Sequence, residues 1–262
     1  MFSPSRFVRL AMLVIAANAS LAVCSAEEEP ATSRPATRQP RVVRPASANQ
    51  EKFTYYLFWR ENNNATKESL AALKSSLENY SEKATYTTVN VSDPATRSTV
   101  AQFNISRYPM PLVLAVAPNG AVSGVFTTPI TPALVDQTLV TPHMTQCMKA
   151  MQSGKLVLLC VYASEKGQTP QGVQDFCSDP HFQKRTAVIA MDSSDLLEKR
   201  FLKELEINPG STRGTTVVFL APPGMLVGKF TQNVTSSELA SKLHASGKCC
   251  DDENCKHNKK GK

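Results

Sequence analysis

The sequence predicts two consecutive α/β domains of one fold, each with a mixed β-sheet flanked by helices. Three observations lead to this prediction: an internal repeat, the same order of predicted elements in both copies, and a hairpin signal late in each copy. The repeat is clearest where APNGAVSGVF, beginning at Ala117, matches APPGMLVGKF, beginning at Ala221, 104 residues later. Upstream, SDPATRSTVAQFNI and SDLLEKRFLKELEI end at Ile105 and Ile207, 102 residues apart. The two copies therefore align with one two-residue insertion, near NPGSTR.

The first copy predicts two strand–helix units followed by a hairpin and a last helix. FTYYLFW and TYTTVNV have the composition of strands, and KESLAALKSSLENY between them places its leucines on one helical face. Asp93-Pro94 supplies an N-cap and a proline at the first position of the second helix. PLVLAV and AVSGVF then flank a turn at Asn119-Gly120, which is a hairpin signal, and Thr131-Pro132 opens the last helix.

The second copy repeats this order. KLVLLCVYA and TAVIAMD are predicted strands, separated by a helix that Thr169-Pro170 opens. The next helix has Asp195 as its cap with Glu198 three residues later, and TTVVFLAPPGMLVGKF forms the hairpin. Thr235 and Glu238 have the spacing of a capping box for the final helix. Both copies therefore predict a mixed sheet with helices on both faces.

The N-terminus has the pattern of a secretory signal. Arg6 and Arg9 precede the apolar run LAMLVIAANASLAV and the small residues CSA, so we expect residues 1–26 to be a signal peptide cut after Ala26. The alternative is a bacterial lipoprotein signal in LAVC with Cys24 as the acylated residue, which is the one way in which we expect contact with a membrane. Either way the sequence predicts an exported protein, soluble after cleavage in the first case.

Composition divides the rest of the chain. Residues 27–50 are rich in Pro, Ala, Ser, Thr and Arg and predict a solvated, disordered linker, followed by domains at 51–141 and 142–246 and a Cys- and Lys-rich tail at 247–262. The net charge of +7 favours solubility or contact with an anionic surface such as cell-wall polymer. A nucleic-acid surface typically interleaves aromatic and basic residues, and this sequence has no such pattern, so we expect no nucleic-acid partner.

The order of elements, with FWRENNNATK after the first strand and MPLVLAVAPNG in the hairpin, resembles the thioredoxin fold over residues 51 to about 246. The resemblance implies a cis-proline before the hairpin strand, at Pro111 or at its neighbour Pro109. The second copy has Thr215 at the matching position, where we expect no cis bond because a cis peptide before a residue other than proline costs about 3 kcal/mol.

The cysteines of the family's Cys-x-x-Cys are missing. Asn63 and Thr66 stand at those two positions, and the matching loop of the second copy, ASEKGQTP, has no cysteine either. Since dithiol exchange needs a thiolate and a second resolving thiol, the usual reaction is excluded at both loops. We expect Thr66 to keep the helix capped.

Six cysteines remain after the signal. We expect Cys160, inside an apolar strand, and Cys177, on an apolar helical face, to be buried structural thiols. The sequence allows a disulfide between them but does not require one. Cys147 belongs to a helical stripe with Met144, Met148 and Met151, which indicates either packing on the sheet or a Cu(I) site.

The tail supplies the remaining candidates for chemistry. Cys249, Cys250, Cys255 and His257 form either a disulfide or intermolecular crosslink, or a Zn(II) or Cu(I) site, or have no specific role. We expect no other cofactor.

The resemblance implies a binding function, because thioredoxin-like domains without their cysteines serve as peptide-binding or scaffolding modules. We therefore expect a non-catalytic protein of the bacterial periplasm or cell envelope that binds a protein or peptide partner. The candidate groove lies between the loop of Asn63 and the loop of Pro111, and its candidate residues are Trp59, Asn63, Thr66, Tyr108 and Pro111. Trp59 serves either the groove or the core. The alternative is a thiol-redox or metal-binding protein that works through its tail.

Overall fold

The computed structural model describes residues 52–163, 167–208 and 214–247. The first domain contains, in chain order, β1 (Phe53–Trp59), α1 (Asn64–Leu77), β2 (Ala84–Asn90), α2 (Arg97–Phe103), β3 (Leu112–Val116), β4 (Val122–Phe126) and α3 (Pro132–Thr138). Its sheet has the order β2-β1-β3-β4, with β1 parallel to β2 and antiparallel to β3. Short 3₁₀ turns at Glu78–Tyr80, Pro94–Thr96 and Ile105–Arg107 complete the described part of this domain.

The second domain repeats this topology. It contains α4 (Pro142–Gln152), β5 (Leu156–Tyr162), α5 (Gln171–Ser178), α6 (Pro180–Gln183), β6 (Thr186–Asp192), α7 (Lys199–Glu204), β7 (Thr215–Ala221), β8 (Met225–Thr231) and α8 (Ser236–Ala245), with a 3₁₀ turn at Leu196–Glu198 before α7. The sheet order β6-β5-β7-β8 matches that of the first domain strand for strand. Two tandem thioredoxin-like domains, as the sequence predicted, are therefore confirmed.

Each sheet is covered by helices on both faces, and the apolar runs explain why. β5, LVLLCVY, is buried at all seven positions because it lies between two neighbouring strands and two helical layers. In the second domain α5 and α8 cover one face of the sheet, while α4 and α7 cover the other. In the first domain α1 and α3 cover one face and α2 covers the other, where no counterpart of α4 lies among the described residues.

The predicted caps hold with one exception. Asp93 and Asp195 each accept a backbone N–H two residues later, from Ala95 and Leu197. Thr235 and Glu238 form the complete capping box at the start of α8. The exception is α1, which Asn63 caps.

Helix α4 contacts both domains. Cys147 and Met151 pack in the core of the second domain, whereas Met148 packs against Ala117 and Ala121 of the first-domain hairpin. The predicted Met and Cys stripe is thus a packing surface divided between two cores, which supports the packing interpretation over a Cu(I) site. At the end of α4, the Gln152 amide donates to the Val122 carbonyl at 2.7 Å and accepts from its N–H at 3.0 Å.

No helix in the described part of the chain is both long and apolar enough to cross a membrane.

The close approach of α5 to α8 depends on Gly172. A Cβ at this position would lie 2.0 Å from the carbonyl oxygen of Val234. We expect Gly172→Ala to lower the free energy of unfolding by about 1–3 kcal/mol through overpacking. Gly154→Ala is the matched control, because its Cβ would meet nothing within 4 Å and the change acts only through a positive φ of 74°. Urea unfolding measures both, and a Gly172→Ala variant as stable as the native protein would contradict this packing.

Candidate functional site

Two loops of the first domain meet at one end of its sheet. Phe58 at the end of β1 is paired with Leu112 at the start of antiparallel β3, so Trp59 and Pro111, one residue beyond, are neighbours. The loop after Trp59 leads into α1 through Asn63, and the turn before Pro111 contains Tyr108. The topology therefore places both loops at one end of the sheet. We call the residues of the predicted groove the first-domain loop site: Trp59, Asn63, Thr66, Tyr108 and Pro111.

The loop site is held by the cap of α1. The Asn63 side-chain oxygen accepts the Thr66 backbone N–H at 3.1 Å, and the Thr66 hydroxyl donates to the Glu61 carbonyl at 2.8 Å. The prediction that Thr66 caps the helix is wrong. Thr66 is the third residue of α1, so its own N–H is one of the free donors that a cap must satisfy, and its buried hydroxyl instead anchors the preceding loop.

The other loop contains the predicted cis-proline. The Met110–Pro111 peptide bond is cis, so Pro111 rather than Pro109 occupies the family's position. Tyr108 is half-buried, and its hydroxyl oxygen is buried without a hydrogen-bond partner, which raises the Tyr108 pKa by desolvation.

The second domain differs at the matching position. The peptide bond before Thr215 is not among the cis bonds of the described residues, in line with the sequence. A cis bond occurs instead at Pro222–Pro223 in the β7–β8 turn. Sequence reasoning missed it, since the pattern APPG indicates a turn without stating the isomer.

The same end of the second domain contains a cavity of about 500 Å³. Among its lining residues are the polar side chains of Gln168, Thr169, Gln171, Gln174, Gln232 and Asn233. We call it the second-domain cavity. The described residues that line it contribute hydrogen-bonding groups that carry no charge.

Two glycines shape the second-domain cavity. A Cβ on Gly167 would lie 1.9 Å from the Tyr162 ring, so only glycine allows the loop to lie against that ring, whose hydroxyl contacts Thr169 at 3.2 Å. Gly214 has a φ of +90° and approaches the Gln232 amide. The only sequence signal for this site was the density of Gln and Thr in GQTPQGVQ, which sequence reasoning did not use.

The described cysteines lie elsewhere and are all free thiols. Cys160 is buried as predicted, whereas Cys177 is half-buried, and no bridge joins them. Burial raises the pKa of Cys160 to about 12 and that of Cys177 to about 11, and it also raises the pKa of Cys147. The tail candidates lie outside the described residues: Cys249, Cys250, Cys255 and His257.

Comparisons with known proteins add only the fold. No family model and no curated protein sequence matches the chain. Among solved structures, the first two thioredoxin domains of Naumovozyma dairenensis Eps1p are 11% identical over 80% of this chain and 97% of that one, with a TM-score of 0.27. Human ERp44 is 9% identical over 83% of this chain and 58% of its own, with a TM-score of 0.33. The N-terminal domain of alkylhydroperoxide reductase AhpF from Enterococcus faecalis is 14% identical over 74% and 91%, at 0.28. At such scores, strand order and connections alone carry the assignment of the fold.

Restoring two cysteines tests whether the first-domain loop site keeps the geometry of a thioredoxin active site. We expect the double variant Asn63→Cys/Thr66→Cys to form an internal disulfide, because the Asn63 side chain already reaches the backbone of Thr66. Trypsin cuts after Arg60 and Lys67, so both thiols fall in the peptide ENNNATK and its mass after alkylation gives the result. The two single variants are controls, and two free thiols in glutathione redox buffer would contradict the expected geometry.

The thiol pKa values predict an order of reactivity. A raised pKa means less thiolate at pH 8, and thiolate is the species that reacts with iodoacetamide. We expect Cys160 to be labelled roughly a thousandfold more slowly in the native protein than in urea and Cys177 roughly a hundredfold more slowly, with Cys147 at least as slow as Cys160. Peptide mapping after timed labelling gives each rate. Labelling of Cys147 or Cys160 at the unfolded rate would show that these cores open easily.

Proposed function

We propose that this tandem thioredoxin-like protein is a non-catalytic binding or scaffolding module for a protein or peptide partner. The observation that carries the proposal is that both domains keep the strand order of the fold, and the first keeps its capped loop, although neither loop contains a cysteine. Without a thiol these loops remain suited to binding through hydrogen bonds and aromatic contacts.

The second-domain cavity suits an extended polypeptide segment. Glutamine and asparagine amides both donate and accept, as does a peptide backbone, so the side chains around the cavity match main-chain groups without requiring a particular sequence. A volume of about 500 Å³ falls in the range of small-molecule and peptide pockets.

The first-domain loop site contributes aromatic surface. Trp59 and Tyr108 are half-buried at neighbouring loops, and large aromatic side chains with one polar end are enriched in protein interfaces. The exposed part of Tyr108 is its ring, because the hydroxyl oxygen is buried. Pro111 and the Asn63 cap hold the two loops in place around it.

We further propose that the module acts in the periplasm or cell envelope. The N-terminal pattern of residues 1–26 supports export, and the Pro- and Arg-rich residues 27–50 have the composition of a spacer between domains and envelope. Membrane attachment requires the lipoprotein alternative, acylation at Cys24.

Peptide selection tests the binding function. A phage-displayed library of random peptides is panned on the full chain, and binders are synthesised and titrated by calorimetry. We expect Tyr108→Ala or Gln232→Ala to weaken the selected peptides about tenfold, the effect of one or two lost hydrogen bonds. Matched controls are Tyr86→Ala on the exposed edge strand β2 and Gln137→Ala on α3, which should leave affinity unchanged.

The same titrations distinguish binding by the two domains from a function of the tail. Deleting residues 248–262 should leave peptide affinity unchanged if the domains bind. If no peptide is selected, or if binding requires Cys249, Cys250 or Cys255 and is abolished by thiol alkylation, the thiol or metal function of the tail replaces this proposal.

A further inference from the structure

Three metal-ligating side chains come together where α4 meets the turn that follows β6. His143 lies in the first turn of α4, while Asp195 and Glu198 flank the 3₁₀ turn before α7, and one ligand atom from each lies within 4.8 Å of the others. None of the three lines the second-domain cavity. His143 Nδ1 is 2.9 Å from Glu198 Oε1, and the same oxygen accepts the His143 backbone N–H at 2.9 Å.

The cluster contains buried polar atoms without partners. Glu198 is fully buried, yet its second oxygen, Oε2, has no hydrogen-bond partner. The Thr141 hydroxyl oxygen is also buried and lies beside this carboxylate. Buried carboxylate oxygens are normally paired, because withdrawing a charged oxygen from water without a partner is unfavourable. The hydrogen bonds that His143 donates satisfy one oxygen of Glu198 and leave the other available.

The donor set selects the kind of ligand. One imidazole nitrogen and two carboxylates are typical ligands of Zn²⁺, whereas Ca²⁺ and Mg²⁺ prefer oxygen alone. Tetrahedral ligands at about 2.0–2.1 Å from zinc are roughly 3.3 Å apart, which is close to the 2.9 Å between His143 Nδ1 and Glu198 Oε1 and within the 4.8 Å that bounds all three ligand atoms. Asp195 is half-buried, so the cluster is not sealed from solvent.

The first domain shows what the second has added. Asp93 caps its turn as Asp195 does, but Thr96 stands at the position of Glu198 and no helix like α4 lies above it among the described residues. The buried acid is thus present where α4 is present.

We propose that His143, Asp195 and Glu198 form a Zn²⁺ site that fastens α4 to the second domain. The ion takes the position between His143 Nδ1 and Glu198, displacing the proton they share, and a water or the Thr141 hydroxyl fills the fourth position. Because α4 also packs on the first-domain hairpin, the bound ion stabilises the junction between the domains.

Zinc titration of the full chain tests this site. To remove the tail's own ligands, the background protein contains Cys249→Ser, Cys250→Ser, Cys255→Ser and His257→Gln. We expect one equivalent of Zn²⁺ bound against a chromophoric chelator, and a rise in Tm of about 5 °C at a zinc concentration a hundredfold above Kd.

Site variants decide the assignment. Asp195→Asn should weaken zinc at least tenfold without lowering the metal-free Tm, because asparagine caps a helix as well as aspartate does. His143→Gln should weaken zinc similarly and keeps the backbone N–H that Glu198 accepts. Asp93→Asn, the equivalent cap in the first domain, is the matched control. The proposal fails if the background protein binds no zinc, or if Asp195→Asn binds it as tightly as Asp93→Asn does.

Discussion

The contact between Glu198 and the first turn of α4 is the interaction on which the junction of the two domains depends. Glu198 is fully buried, and His143 supplies both a backbone and a side-chain hydrogen bond to one of its oxygens. Burial by itself raises the pKa of Glu198, but the hydrogen bonds and charge of His143, together with the Thr141 hydroxyl, outweigh it and lower that pKa, so the acid stays ionised. Removing one partner of such a pair costs about 3–5 kcal/mol, because the other stays buried and unpaired. The position of α4 is therefore strongly determined at its N-terminal end.

The other end and flank of α4 extend this constraint to the first domain. Gln152 pairs with both backbone groups of Val122, Lys149 donates to the Gly120 carbonyl, and Met148 packs on the same hairpin. Across from it, Arg200 just after the 3₁₀ turn donates to the Asp136 carbonyl at 2.6 Å. Helix α4 thus packs in the second-domain core through Cys147 and on the first-domain hairpin through Met148. It therefore links the two domains.

The two copies show how one frame supports different surfaces. Both have the same strand order, but the first copy ends in cis-Pro111 with Tyr108 and Trp59 nearby, and the second has Thr215 with an amide-lined cavity. The fold tolerates this because the sheets and their covering helices contain the stabilising apolar area, whereas the loops contribute little to it. Loss of the cysteines therefore leaves the architecture intact while removing thiol chemistry from both loops.

Much of this was predictable from local pattern. The informative signals each depend on neighbours in the chain: the duplicated turns, the apolar run LVLLCVY, the capping box at Thr235 and Pro111 before β3. The sequence alone therefore determined two thioredoxin-like domains and the absence of their redox cysteines. Its one wrong cap, Thr66 in place of Asn63, was an error of three residues. Only the tertiary structure decided which groups meet across the chain. His143 and Glu198 are 55 residues apart, Arg200 and Asp136 are 64 apart, and the Tyr108 hydroxyl is orphaned by packing that no periodicity records. Such contacts depend on how the helices pack against the sheets, and local sequence patterns do not show which residues distant in the chain this packing brings together.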